Sequence, residues 1–118
     1  FESAVLINNE SFFDFKPLPN YAQFSSTNDI IIQDFNNDKI NDIVLVGNMY
    51  HAEIETTRND SGNGLLLQGI GNGDFKEISV SKSGFFAPGD SKKIISLKSK
   101  NDNLLIIANN DDRLQIFK

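Results

Sequence analysis

The apolar runs of this chain do not alternate with polar residues. Ile30-Ile31-Ile32, Ile43-Val44-Leu45-Val46, Leu65-Leu66-Leu67 and Leu104-Leu105-Ile106-Ile107 are continuously apolar over strand length, whereas a strand with one wet face reads apolar, polar, apolar at a period of two. Both faces of these strands must therefore be covered. Shorter apolar runs at 4–7, 12–15, 75–80, 94–97 and 114–117 complete the series. Clusters such as Gly71-Asn72-Gly73-Asp74 and Asn109-Asn110-Asp111-Asp112 separate the runs. Such residues tolerate positive φ and bond their own backbone, which makes the clusters turns. No convincing helical period is present, and the chain is predicted to be all-β with antiparallel sheets.

Helices could hide both faces of a parallel sheet, but the links here are mostly of hairpin length and leave no room for crossovers. Sheets stacked face to face in series remain, and the β-propeller, built of antiparallel four-stranded blades, is the commonest such architecture. Residues 28–34, 42–47, 64–68 and 74–80 are predicted as the strands of one complete blade, within 28–80. Residues 92–98, 103–108 and 113–117 repeat the first three in a final partial blade, 92–118. Residues 3–8 and 12–17 read as the end of a preceding blade, within 1–20. Two to three blades are too few to close a ring, so the chain is expected to belong to a larger propeller or to assemble with copies of itself. Its start at Phe1, not at a Met, fits a fragment or a processed product. Open blade edges predict self-association by strand pairing.

Composition excludes several classes. Of 118 residues none is Cys, and no stretch is long and apolar enough to span a bilayer, so neither disulfide stapling nor direct membrane insertion is expected. The formal charge of -5 opposes a phosphate-backbone footprint, and nucleic acid is set aside. No nucleophile-and-base pair, phosphate loop or transition-metal cluster is visible, so the chain is not predicted to be an enzyme.

One loop carries distinct chemistry. Between the runs at 29–32 and 43–47, Asp34, Asn36, Asp38 and Asp42 occupy positions one, three, five and nine of a short loop, with the carbonyl of Ile40 at position seven. Oxygen donors at this spacing wrap a hard cation, and Ca2+ is the natural candidate. An EF-hand would need flanking helices and a Glu at position twelve, where this chain has Leu45 inside a strand. The alternative is a metal-free turn whose carboxylates cap backbone amides. The corresponding link of the last unit, 98–103, lacks the spaced acids, so one metal per chain is expected.

The segment from Asp29 through this loop to Gly47-Asn48, with the Gly-rich turn and aromatic at Gly69 to Phe75, resembles FG-GAP/VCBS repeats, the blades of integrin α-chain type β-propellers. The resemblance covers most of the chain. It implies Ca2+ ligation by Asp34, Asn36, Asp38 and Asp42 through side chains and by Ile40 through its carbonyl. It also implies a secreted or cell-surface setting and a protein- or glycan-binding role. The family usually has Gly at loop position six, where this chain has Lys39; a left-handed backbone there costs a non-Gly residue roughly 1 kcal/mol. Propellers of related sequence also form the body of some polysaccharide lyases and hydrolases. A non-catalytic share of such an enzyme, or support for another domain, is the alternative function.

In that architecture partners use the face opposite the calcium loops. Here this face would carry the insertion 48–63, the link 81–92 and the turn 109–112. The insertion is too long and polar for a tight hairpin, and loops of that kind are often functional. Tyr50, His51, Glu53, Glu55, Arg58 and Asp60 would suit a polar ligand such as a carbohydrate, set against a loop that merely packs over its neighbours. Glu53 and Glu55 lack any fixed separation of the kind a glycosidase needs. Phe85 and Phe86 are predicted as wedges between sheets.

Overall fold

The computed structural model describes residues 2–51, 58–100 and 102–118. Among the described residues, nine strands form three antiparallel sheets in chain order. The first is a hairpin of β1 (Ala4–Asn8) and β2 (Phe13–Pro17). A single 3-10 turn, Asn20–Gln23, leads to the central sheet. That sheet runs β3 (Thr27–Gln33), β4 (Asp42–Gly47), β5 (Leu65–Gly71) and β6 (Asp74–Ile78). One helical turn, α1 (Val80–Ser83), precedes the third sheet of β7 (Ser91–Lys98), β8 (Asn103–Asn109) and β9 (Gln115–Phe117).

The missing alternation in β4 has the cause that the sequence suggested, since all six residues of the strand are buried. Val44 and Val46 pack with Ile94 and Ile107 of the third sheet and with Phe85 and Ala87 of the link before it; Ile31, Leu66, Leu105 and Phe117 close around them. Ile43 and Leu45 point the other way and join Leu67, Leu18 and Ala22, with Val5 of the first hairpin against them. The central sheet is thus covered on both sides by its neighbours. Each such side chain contributes about 1.5–3 kcal/mol by leaving water. The radius of gyration of 15.0 Å exceeds the roughly 13.5 Å of a compact domain this long, as a row of sheets with open ends requires.

Local chemistry sets the turns. Asn72 and Gly73, at φ 55° and 74°, make the two-residue connection that lets β5 and β6 pair with matched twist. At the other end of the sheet the chain passes very close to itself. A Cβ on Gly47 would lie 1.7 Å from the carbonyl oxygen of Ser26, a separation no side chain can occupy. The strand predicted at 74–80 stops at Ile78. Val80 instead opens α1, which Gly84 terminates at φ 69° by donating its amide to the Val80 carbonyl at 2.8 Å.

A repeat is visible in the backbone beyond the apolar pattern. β3 slips register between Thr27 and Asp29 against β4, and β7 slips between Ser91 and Lys93 against β8. Just outside these slips, the amide of Asn48 donates to Ser26 at 3.1 Å and that of Asn110 to Asp90 at 2.9 Å. The third sheet therefore repeats the first three strands of the second. Their first strands also run side by side: Asp29 accepts the Ile94 amide at 2.9 Å, Asn28 donates to the Ser91 carbonyl at 2.8 Å and Ser96 to Gln33 at 3.1 Å.

Candidate functional site

The loop between β3 and β4 is wound around its own side chains. Asp34 accepts the amides of Asp38 and Lys39 at 3.2 and 2.8 Å, one on each carboxylate oxygen. The Asn36 carbonyl oxygen accepts the Asp38 amide at 2.9 Å, and Asp38 accepts the Ile40 amide at 2.8 Å. Asp42, only 2% exposed, reaches back to the Phe35 amide at 3.0 Å and across to the Gly69 amide at 2.9 Å. Gly69 is required beside it, because a Cβ would stand 2.3 Å from the Asn41 carbonyl oxygen. The Ile40 amide, the Asn36 side chain and Gln68 hold the Asp38 carboxyl below the usual carboxylate range.

Lys39 sits at φ 70° and Asn37 at φ 62°, so position six is left-handed although it carries a side chain. The donors Asp34, Asn36, Asp38 and Asp42 are hard oxygens, which fit Ca2+ and not a soft metal. Each carboxylate oxygen that accepts one amide keeps a second lone pair. Against this, Asn36 Nδ2 donates to Asp38 at 2.8 Å, a bond that a cation between the two would have to open. Among the described residues, no three acidic, His or Cys side chains gather closely enough to hold a metal without help from Asn36 and the Ile40 carbonyl.

At the opposite end of the central sheet, the described residues of the insertion, the link to the third sheet and the turn after β8 meet. The side chain of Asn48, fully buried, joins them. Its Nδ2 donates to the carbonyls of Gly62, Pro88 and Gly89 at 2.6, 2.9 and 3.2 Å, and its Oδ1 accepts from the Gly62 amide and the Ser25 hydroxyl at 2.8 and 2.7 Å. Tyr50 donates its hydroxyl to the Pro88 carbonyl, and the Arg58 guanidinium lies 3.7 Å above the Tyr50 ring while pairing with Asp60 at 3.0 Å. His51 stands 4.0 Å from the buried carboxylate of Asp90 and within 3.4 Å of Asn110. Of the predicted ligand residues, Tyr50, Arg58 and Asp60 are thus brought together, while His51 stands beside Asp90 and Asn110. Glu53 and Glu55 lie outside the described residues.

Two findings amend the sequence reading of this end. Tyr50 donates its hydroxyl to the chain's own backbone, and the ring face is shared with Arg58. Of the two aromatics predicted as wedges, Phe85 is buried, with its ring 4.8 Å from that of Phe117, whereas Phe86 stays half exposed. The sequence assigned no role to Asn48. Its partners lie 14 to 41 positions away on three segments, and no local pattern announces them.

Two acids fasten this end and the neighbouring first strands. Burial pushes the Asp90 carboxyl up, but Lys92, Asn110 and the Tyr50 amide outweigh it and hold it below the ordinary value of 3.8. Asp29 is depressed in the same sense: burial opposes, while the Ile94 amide, Lys93 at 3.0 Å and the Ile30 amide prevail. A carboxyl depressed in the folded state stabilises it fully above the unfolded value, and the gain is lost as pH falls through the folded value. The unfolding midpoint is therefore expected to stay level down to about pH 5 and to fall steeply below about pH 4. In an Asp29→Asn, Asp90→Asn double variant, the midpoint should already be low at neutral pH and should change less on acidification.

No family model, curated protein or solved structure matches this chain.

Proposed function

We propose that the chain is a segment of a calcium-stabilised β-propeller of the FG-GAP/VCBS kind, from a secreted or surface-exposed protein, and that it serves as an interaction module. The observation that supports this most is the polarity of the central sheet. Its acidic loop, in which Asp34, Asn36 and Asp38 hold the loop's own amides and Asp42 fastens its base to Phe35 and Gly69, lies at one end. The insertion, the Asp90 link and the Asn110 turn lie at the other. The serial stacking of like sheets, with first strands adjacent, is what blades around an axis require.

In this reading Asp34, Asn36, Asp38 and Asp42 hold the ion with the Ile40 carbonyl. The bound ion supplies cross-linking charge that fixes the β3–β4 connection and leaves the far end to meet a partner. There, His51 is largely exposed, and Arg58 and Asp60 are about half exposed. Hydrogen-bonding groups beside a guanidinium-capped ring suit the hydroxyls of a neutral glycan or a polar protein surface. The test is a microarray of neutral oligosaccharides probed with the wild-type chain, His51→Ala and Arg58→Ala. The reading expects retained signal to fall at least about tenfold in both variants, as loss of one or two polar contacts does. Silence across the array, or signal untouched by both changes, would remove the glycan arm.

A further inference from the structure

The central sheet opens at the end away from the acidic loop. β4 and β5 pair from Ile43 to Leu45 against Leu67 to Leu65, and beyond Leu45 the two strands part. A groove of about 160 Å3 lies there. The link from the hairpin to β3 lines it with Tyr21 and Phe24, β5 and β6 with Leu65, Glu77 and Ile78, and the insertion with Asn63. These walls belong to the complete four-stranded sheet and to links inside the chain, not to the outward faces of the first and third sheets. A cavity of roughly 150 Å3 accepts a molecule the size of benzene, so the groove has room for one small organic group.

Charge and aromatic surface say what fits. Glu77 pairs in register with Leu67, which is buried with Ala22 on the hairpin side of the sheet, so the Glu77 side chain stands on that side as well, facing the same way as Leu65. Among the described residues that line the groove, Glu77 alone carries a charge. It is half-buried, and among the described residues it has no ion pair. A carboxylate partly withdrawn from water with no partner of its own favours a cation from outside. Tyr21 and Phe24 supply the second feature. They are 61% and 58% exposed, with ring centroids 5.3 Å apart and planes inclined at 59°. Exposed rings attract a cation through their negative faces and carbon skeletons through their area. A hard metal ion needs a full shell of oxygens, whereas one carboxylate beside two rings suits a cation that carries carbon.

We propose that this groove binds a small organic ammonium ion, its charged nitrogen at Glu77 and its carbon skeleton against Tyr21 and Phe24. This goes beyond the proposed function. The groove uses neither the acidic loop nor His51 and Arg58, and its ligand is charged where the glycan considered above is neutral. Loss of that glycan reading, or of calcium, therefore leaves this site standing, and the reverse holds too. An amino sugar and a quaternary ammonium compound both carry the required chemistry, in different frames.

The test is an NMR titration of the full chain at about pH 6, where the amines are protonated. The ligands are glucosamine and choline, each beside a neutral match of like shape, glucose and the uncharged carbon analogue of choline. At least one cation is expected to bind about tenfold or more tightly than its neutral match, moving the amide signals of Tyr21, Phe24 and Leu65. In Glu77→Gln the cation and its match should bind alike, and Tyr21→Ala should weaken the cation about threefold. Binding of glucosamine alone would assign the nitrogen to a sugar, choline alone to a quaternary centre, and both would show that charge and rings suffice. Glu77→Gln keeps the shape of the side chain, and the same spectra report the fold; if Tyr21→Ala loses its dispersed signals, Phe24→Ala replaces it. No binding of either cation at millimolar concentration, neutral matches that bind as well, a preference that survives Glu77→Gln, or an affinity untouched by loss of the ring would each overturn the proposal.

Discussion

Asn48→Leu should all but unfold this chain. The substitution places a branched side chain at φ 80°, a backbone that costs an L-residue roughly 1–2 kcal/mol. It also removes the partner of the Gly62 carbonyl and amide, while the Pro88 carbonyl keeps the Tyr50 hydroxyl, the Gly89 carbonyl the Ser91 amide and the Ser25 hydroxyl the Asn59 side chain. Groups left buried and unpaired cost about 1–3 kcal/mol each. The two Gly62 groups and the backbone strain together bring the loss to about 4 kcal/mol, a large part of the stability of a domain this size. The unfolding midpoint is expected to drop by about 15 °C or more. Asn110, the counterpart of Asn48 in the third sheet, is exposed, with side-chain contacts at 3.4 Å. Asn110→Leu should change stability by less than about 1 kcal/mol. Similar midpoints for the two variants would show that Asn48 is not the fastening described.

The second large effect belongs to Asp42. Its two carboxylate oxygens hold the start of the acidic loop, through Phe35, and the facing strand β5, through Gly69. Asp42→Ala leaves both amides without a partner in a site that is almost wholly buried. A hydrogen bond to a charged group is worth about 1.5–3 kcal/mol, so a loss near 3 kcal/mol is expected even with calcium absent. Asp42→Asn restores one acceptor and should fall between wild type and Asp42→Ala in chemical denaturation. If Asp42→Ala is as stable as wild type in a chelator, the carboxylate does not organise the loop.

How much of this was legible in the sequence depended on how local its cause was. The unbroken apolar run of β4 announced burial on both faces, because side-chain alternation follows directly from strand geometry. The Asn72-Gly73 turn was likewise readable from residue type and spacing, whereas a left-handed backbone at Lys39 runs against its residue type and was expected only through the resemblance. Val80 was not. Its apolar side chain suggested a continuing strand, but the Gly four residues on supplied a helical stop, and α1 formed in between. The hub at Asn48, the close pass of Gly47 to Ser26 and the matched register slips at Asp29 and Lys93 depend on contacts between segments far apart in the chain. The sequence placed all six candidate ligand residues in one insertion but could not show that Tyr50 is engaged by the Pro88 carbonyl.

Calcium held by the loop of Asp34, Asn36, Asp38 and Asp42 in the folded chain is the central claim. Thermal unfolding after chelator treatment, with and without excess Ca2+, in wild type and Asp38→Ala, addresses this directly. A ligand that binds only the folded state must raise its stability, by about 2.7 kcal/mol at a hundredfold excess over its dissociation constant. Wild type is therefore expected to gain about 10 °C with Ca2+ and Asp38→Ala to gain none. An unchanged wild-type midpoint, or an equal gain in the variant, would contradict the metal site and leave the loop as a turn held by its own amides.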